Sequence, residues 1–164
     1  MSVLNIRVDN DPILRKKSKD ITDFDQRLKT LIQDMKETMI DAKGVGLSAV
    51  QVGKLRNLFI YDALDGKGIR VMINPVIEFS EGAAIDSEGC LSLPEVTCFV
   101  ERPDHIKGRA LDENGNEYEF EAFGFESRVI QHEYDHLQGS LIIDKSIDED
   151  ELKYLREEGT WVWK

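Results

Sequence analysis

His132-Glu133-Tyr134-Asp135-His136 sets two imidazoles four residues apart, with a carboxylate beside the first. On a helix that spacing brings both rings to one face. Both can then reach a single cation, and Glu133 is close enough to handle the proton of a water bound to it. Two histidines do not complete such a site, because a catalytic divalent centre takes three protein ligands and keeps one position open. His105 is the only other histidine, and its strand-like surroundings read as structural or surface. Cys90 is the better third ligand. It lies in Glu88-Gly89-Cys90-Leu91-Ser92-Leu93-Pro94, where Gly and Pro predict a shaped backbone segment rather than a regular strand. A thiolate with two imidazoles suits zinc, iron or cobalt. Cys98, inside the apolar run Thr97-Cys98-Phe99-Val100, reads as a small buried hydrophobe.

Several elements must hold these groups. Gly124 to Leu137 reads as the helix that carries the histidines, with Phe125, Val129, Ile130 and Leu137 as its buried positions. An earlier helix is expected to start near Thr22, where Thr22 and Asp25 have the spacing of a capping box. Leu28, Leu31, Ile32, Met35 and Met39 give it a buried stripe, and Gly44 is expected to end it. Strand-like runs follow at 57–62, 69–77, 96–101 and 105–112. Asn114-Gly115 is a hairpin signal, and Tyr118, Phe120 and Ala122 alternate with acidic residues after it. A short strand at 141–143 and a third helix near 149–156 complete the expected elements. The order predicts an α+β domain: antiparallel or mixed sheets packed around a central metal-binding helix, with a long N-terminal helix.

The chain has 164 residues, without repeats or a Pro/Ser-rich linker, and reads as one domain over 1–164. Lys plus Arg number 21 against 32 Asp plus Glu, a net charge of −11. That surface repels phosphate backbones, so nucleic-acid binding by general charge attraction is excluded. No apolar run approaches the ~20 residues that span a bilayer. The first residues lack the pattern of a signal peptide, so a cytoplasmic location is expected. Two cysteines in that compartment read as metal-binding or catalytic before they read as a disulfide.

Three segments, Gly44-Val-Gly-Leu-Ser-Ala-Val-Gln51, Glu88-Gly-Cys-Leu-Ser92 and Gln131-His-Glu-Tyr-Asp-His-Leu-Gln-Gly139, stand in the order and spacing of the signature motifs of the peptide deformylase family. The resemblance runs from the N-terminus to about residue 145. It implies an enzyme that removes the N-formyl group from the formyl-methionine of newly made polypeptides and releases formate. It implies that Cys90, His132 and His136 bind one divalent ion: Fe2+ as the physiological metal, with Zn2+, Ni2+ or Co2+ able to stand in. It implies that Glu133 is the general acid/base, and that the Gln51 side-chain amide and the Leu91 backbone N–H stabilise the oxyanion. Hydroxide generated on the ion attacks the formyl carbon. Gly46 and Gly89 are expected to flank a cleft where the substrate lies as an added strand. Val45, Phe125 and Val129 are expected to line the pocket for its first side chain. The partner is an N-formylated nascent peptide, with at most transient ribosome contact, and the chain is expected to be a monomer.

Several positions depart from the family pattern. Ser48 replaces an alanine, a small and tolerated change. Thr97 stands where many relatives have an arginine that holds the far end of the peptide. Asp86 and Arg128 replace aliphatic residues near the side-chain pocket, and Arg128 is expected to turn away from that pocket or to pair with an acid. Glu88 and Arg102 are expected to pair behind the metal segment. A zinc endopeptidase on the same helix would instead take Glu157 or Glu158 as third ligand. Gly139 and the run 141–143 interrupt that path, and Cys90 would be idle. A non-catalytic relative would leave Glu133 without a role.

Overall fold

The computed structural model describes residues 2–150. After an irregular arm with a 3-10 turn at Pro12–Arg15 comes α1 (Gln26–Asp41), then β1 (Gly46–Ser48), β2 (Leu58–Asp62), β3 (Ile69–Glu81), β4 (Ala84–Cys90), β5 (Leu93–Arg102), β6 (His105–Leu111), β7 (Glu117–Phe123), α2 (Gly124–Leu137) and the short β8 (Ser146–Ile147). The strands form two antiparallel sheets, ordered β1-β2-β3-β6-β7 and β4-β5-β8.

The α1 start differs from the sequence expectation. Asp25, not Thr22, is the N-cap, and its side chain accepts from the Leu28 N–H at 3.1 Å. The helix is 16 residues long and is preceded by an irregular segment rather than standing at the N-terminus. Its end also differs. Lys43 takes the left-handed conformation (φ 56°) expected of Gly44, whose N–H closes back onto the Met39 carbonyl at 3.0 Å. Gly44 serves a different purpose, since a Cβ there would lie 2.8 Å from Cδ1 of Leu91.

Side-chain alternation along β2 explains why both helices pack where they do. Leu58 and Ile60 face the α1 stripe of Leu28, Leu31, Ile32, Met35 and Met39. Phe59 and Tyr61 face the opposite way, against Val129, Ile130 and Leu137 of α2. The middle of the large sheet is thus buried on both faces. From α2, Arg128 reaches carbonyls of Ala84 and Val100, so the helix also engages the small sheet. The expectation of sheets packed around the metal-binding helix agrees with this arrangement.

Other boundaries moved. Cys90 ends a regular strand, β4, where a non-strand segment was expected. The register between β4 and β5 slips after Gly89, so the irregularity is confined to the last residue. Residues 142–144 form a 3-10 turn rather than a strand, held by Asp144 accepting from the Leu141 N–H at 2.9 Å. The Asn114-Gly115 hairpin forms as expected, with Asp112 accepting from the N–H groups of Asn114 and Asn116. The expected third helix falls mostly outside the described residues, as do Glu157 and Glu158.

Candidate metal centre

Cys90 and the two helix histidines arrive from different elements. The slip at the end of β4 presents Cys90 to α2, on which His132 and His136 share a face. One ligand atom from each lies within 4.8 Å of the other two. Sγ of Cys90 is 3.3 Å from Nε2 of His136. Nδ1 of His132 faces Oε1 of Glu88 at 2.8 Å, which leaves Nε2 turned toward the sulfur side.

Glu88 anchors this arrangement from behind. Arg102 donates to both of its oxygens, at 2.6 and 2.9 Å, and Arg128 donates to Oε2 at 2.5 Å. Burial opposes its charge, but the hydrogen bonds and charges of His132 and Arg102 outweigh that cost and hold the carboxyl well below the usual range, so it stays charged. Arg102 also bonds Asp135 at 2.8 Å, tying β5 to the ligand helix. The expected Glu88–Arg102 pair is present. Arg128 resolves as a buried partner of Glu88, with further bonds to Val100 O at 3.0 Å and Ala84 O at 2.9 Å.

The electrostatics fit a cation. Burial and the neighbouring His132 charge push His136 well below its ordinary value, so its ring is neutral and offers a lone pair. Burial opposes charge on His132 too, but bonds to Cys90 and Glu88 and the nearby Glu133 carboxylate raise it to about 10. The negative surroundings that hold a proton there would also attract a cation, which must displace that proton to bind the ring. Glu133 is pushed up to about 7 by burial, partly offset by His132. Its Oε2 is 3.8 Å from Nε2 of His132. Among the described residues its buried Oε1 has no hydrogen-bond partner, as is also true of Nδ1 of His136. A buried, unpaired carboxylate oxygen beside three converging donors is a place where bound water and its proton belong.

Gln51 approaches from the 3-10 turn Ala49–Val52, which follows β1. Its Nε2 lies 3.7 Å from the Cys90 sulfur and donates to Ser92 Oγ at 3.0 Å. Its Oε1 accepts from the Ser48 N–H at 2.9 Å and the Ser48 hydroxyl at 3.0 Å. Sequence reasoning passed over Ser48 as a tolerated replacement. The missed signal was the Ser48-x-x-Gln51 spacing, which is that of a capping box.

These groups meet a cleft of about 380 Å³ lined by Val45, Gly46, Gln51, Asp86, Gly89, Cys90, Leu91, Phe125, Arg128, Val129, His132 and Glu133, among others. All the residues expected at the site therefore reach it except His136, whose ring is buried beneath. Phe125, expected among the buried helix positions, is 41% exposed at the cleft, whereas Val129 is 5% exposed. Gly46 has an unexpected role: a Cβ there would collide with Glu133, while one on Gly89 would meet only Val96 O at 3.9 Å. His105 is remote from the centre. It pairs with Glu81 and Glu121 and stacks on Phe123 at 4.2 Å. Cys98 is a buried free thiol, and Cys90 is also free.

Comparison with known proteins places this geometry among relatives. The family profile described as polypeptide deformylase matches residues 3–152. A peptide deformylase of Clostridium botulinum is 53% identical over 146 residues, covering 89% of this chain and 98% of that protein. Peptide deformylase 1 of Clostridium perfringens is 50% identical over 147 residues, covering 90% of this chain and all of its own. The crystal structure of peptide deformylase from Thermotoga maritima superposes with a TM-score of 0.86 at 43% identity, covering 89% of this chain and 99% of that one.

Proposed function

The chain belongs to the polypeptide deformylase family, and on that premise we propose that Cys90, His132 and His136 hold its metal and that Glu133 moves the protons of the reaction. It is a metal-dependent hydrolase that removes the N-formyl group from nascent polypeptides. The observation that carries the residue assignment is the convergence of three ligand atoms within 4.8 Å beside the unpaired oxygen of a buried glutamate.

A divalent ion in that position supplies a Lewis acid and lowers the pKa of water toward ~7. Glu133 accepts the proton of the attacking water and passes it to the departing α-amine. While the water attacks, before the amine departs, negative charge grows on the formyl oxygen, where Gln51 Nε2–H and the Leu91 backbone N–H receive it. One such donor is worth about 3–4 kcal/mol of barrier. Formate and a free amine leave. Glu88, fixed by Arg102 and Arg128, keeps His132 in the tautomer that turns Nε2 to the ion.

The peptide binds as an added strand. Both β1 and β4 are sheet edges, and Val45, Gly46 and Gly89 line the cleft between them. Val45, Phe125 and Val129 receive the first side chain, methionine in the physiological substrate. Ferrous iron is the proposed metal in the cell, with zinc, nickel or cobalt able to replace it. A thiolate with two imidazoles accommodates each of these. The working unit is one domain spanning 1–164, acting in the cytoplasm as a monomer. Its acidic surface limits any ribosome contact to a transient one.

Replacing Glu133 with Gln tests the assignment. Formate release should fall by about 10²–10⁴-fold while bound metal stays at the parental level. Full activity in E133Q overturns the role of Glu133.

A further inference from the structure

Ser48, Gln51 and Ser92 form a buried polar triad behind the Cys90 sulfur, with exposures of 0%, 1% and 0%. The orientation of the Gln51 amide follows from its partners. A backbone N–H only donates, so the atom facing the Ser48 N–H at 2.9 Å must be the oxygen. The Ser48 hydroxyl adds a second bond to the same oxygen at 3.0 Å. Nε2 is thereby turned the other way, donating one hydrogen to Ser92 Oγ at 3.0 Å and the other toward Cys90 Sγ at 3.7 Å. Two donors on Oε1 also polarise the amide, which makes the opposite N–H a stronger donor.

We propose that Ser48 is a positioning residue for deformylation: its hydroxyl, opposed by Ser92, locks the Gln51 amide with Nε2 rather than Oε1 on the Cys90 side of the cleft, where the hydrogen it gives the sulfur can turn to the developing oxyanion. This rests on the reading of Gln51 as an oxyanion donor. The alternative is a capping box that merely holds the 3-10 turn, in which case losing the hydroxyl weakens the fold and leaves turnover alone.

The test is steady-state kinetics on the metal-loaded protein for Ser48→Ala, Ser92→Ala, Gln51→Leu and the Ser48→Ala/Gln51→Leu double variant, with thermal midpoint and metal content measured on each. Q51L should lower kcat by about 100-fold. S48A should lower kcat by about 3- to 10-fold with KM little changed, the scale of one hydrogen bond. S92A should do the same, which keeps the clamp testable if S48A folds poorly. In the Q51L background S48A should change kcat by less than about twofold. Normal kcat in both S48A and S92A, with Q51L impaired, overturns the clamp and leaves the oxyanion role standing. An equal loss from S48A on both backgrounds overturns it as well. Full activity in Q51L removes the oxyanion reading itself, and the clamp falls with it.

Discussion

A Cβ on Gly46 would lie 2.5 Å from Oε2 of Glu133 and 2.8 Å from its Cδ. Contacts that short do not occur, so Gly46 is the residue that leaves room for the proposed proton carrier. Gly46→Ala should therefore displace the carboxylate and lower kcat by about 10- to 100-fold, a large part of what a positioned carboxylate contributes. Metal content should not change. A rise in KM with kcat intact would mean instead that the glycine serves only the approach of substrate backbone.

Glu88 is the shared partner of Arg102, Arg128 and His132. Glu88→Ala strands two buried guanidiniums and frees the His132 ring. The expected losses are about 3–5 kcal/mol of stability and roughly 10- to 100-fold in metal affinity. Denaturant unfolding and competition with a chelator measure the two separately. Parental stability in E88A would contradict the network.

Arg128 has its guanidinium committed to Glu88, Val100 O and Ala84 O. Arg128→Leu should cost about 1–3 kcal/mol through the carbonyls and carboxylate it abandons. The preference for formyl-Met over formyl-Leu peptides, read as a ratio of kcat/KM values, should move by less than about threefold, a fraction of what one methylene in a pocket decides. A large change in that ratio would put the guanidinium in contact with substrate.

Tyr118 donates to Val71 O at 2.6 Å, and burial, joined by the Asp112 charge, pushes its phenol up to about 12. An unfolded tyrosine titrates near ~10. The fold therefore prefers the neutral phenol. Its stabilisation is whole below about pH 10 and is lost as pH rises toward about 12. Tyr118→Phe should be less stable than the parent at neutral pH, with the gap narrowing through that window. Unfolding curves at about pH 8 and about pH 11 decide it, and a constant gap would refute it.

The α2 boundaries and the histidine pair proposed as metal ligands were readable in the sequence because each rests on a local pattern: apolar periodicity for the helix, and i, i+4 histidines beside a glutamate for the site. What escaped depends on partners distant in the chain. The function of Gly46 is set by Glu133, eighty-seven positions away, and nothing near Gly46 signals it. Arg128 looked out of place near an apolar pocket because Glu88, its counter-charge, comes from another element. The α1 start moved because Asp25 and Thr22 are both good caps, and it is the Asp25 carboxylate that accepts from the Leu28 N–H. Lys43 took the left-handed position beside a glycine that had to stay small against Leu91.

Bound metal and formate release from a formyl-Met tripeptide, determined together on anaerobically prepared parent and Cys90→Ala proteins, bear most directly on the centre. The parent should hold one ion per chain and release formate, and C90A should lose both. A C90A protein that retains its ion and its turnover would mean that the thiolate is not a ligand and that the cation is held elsewhere.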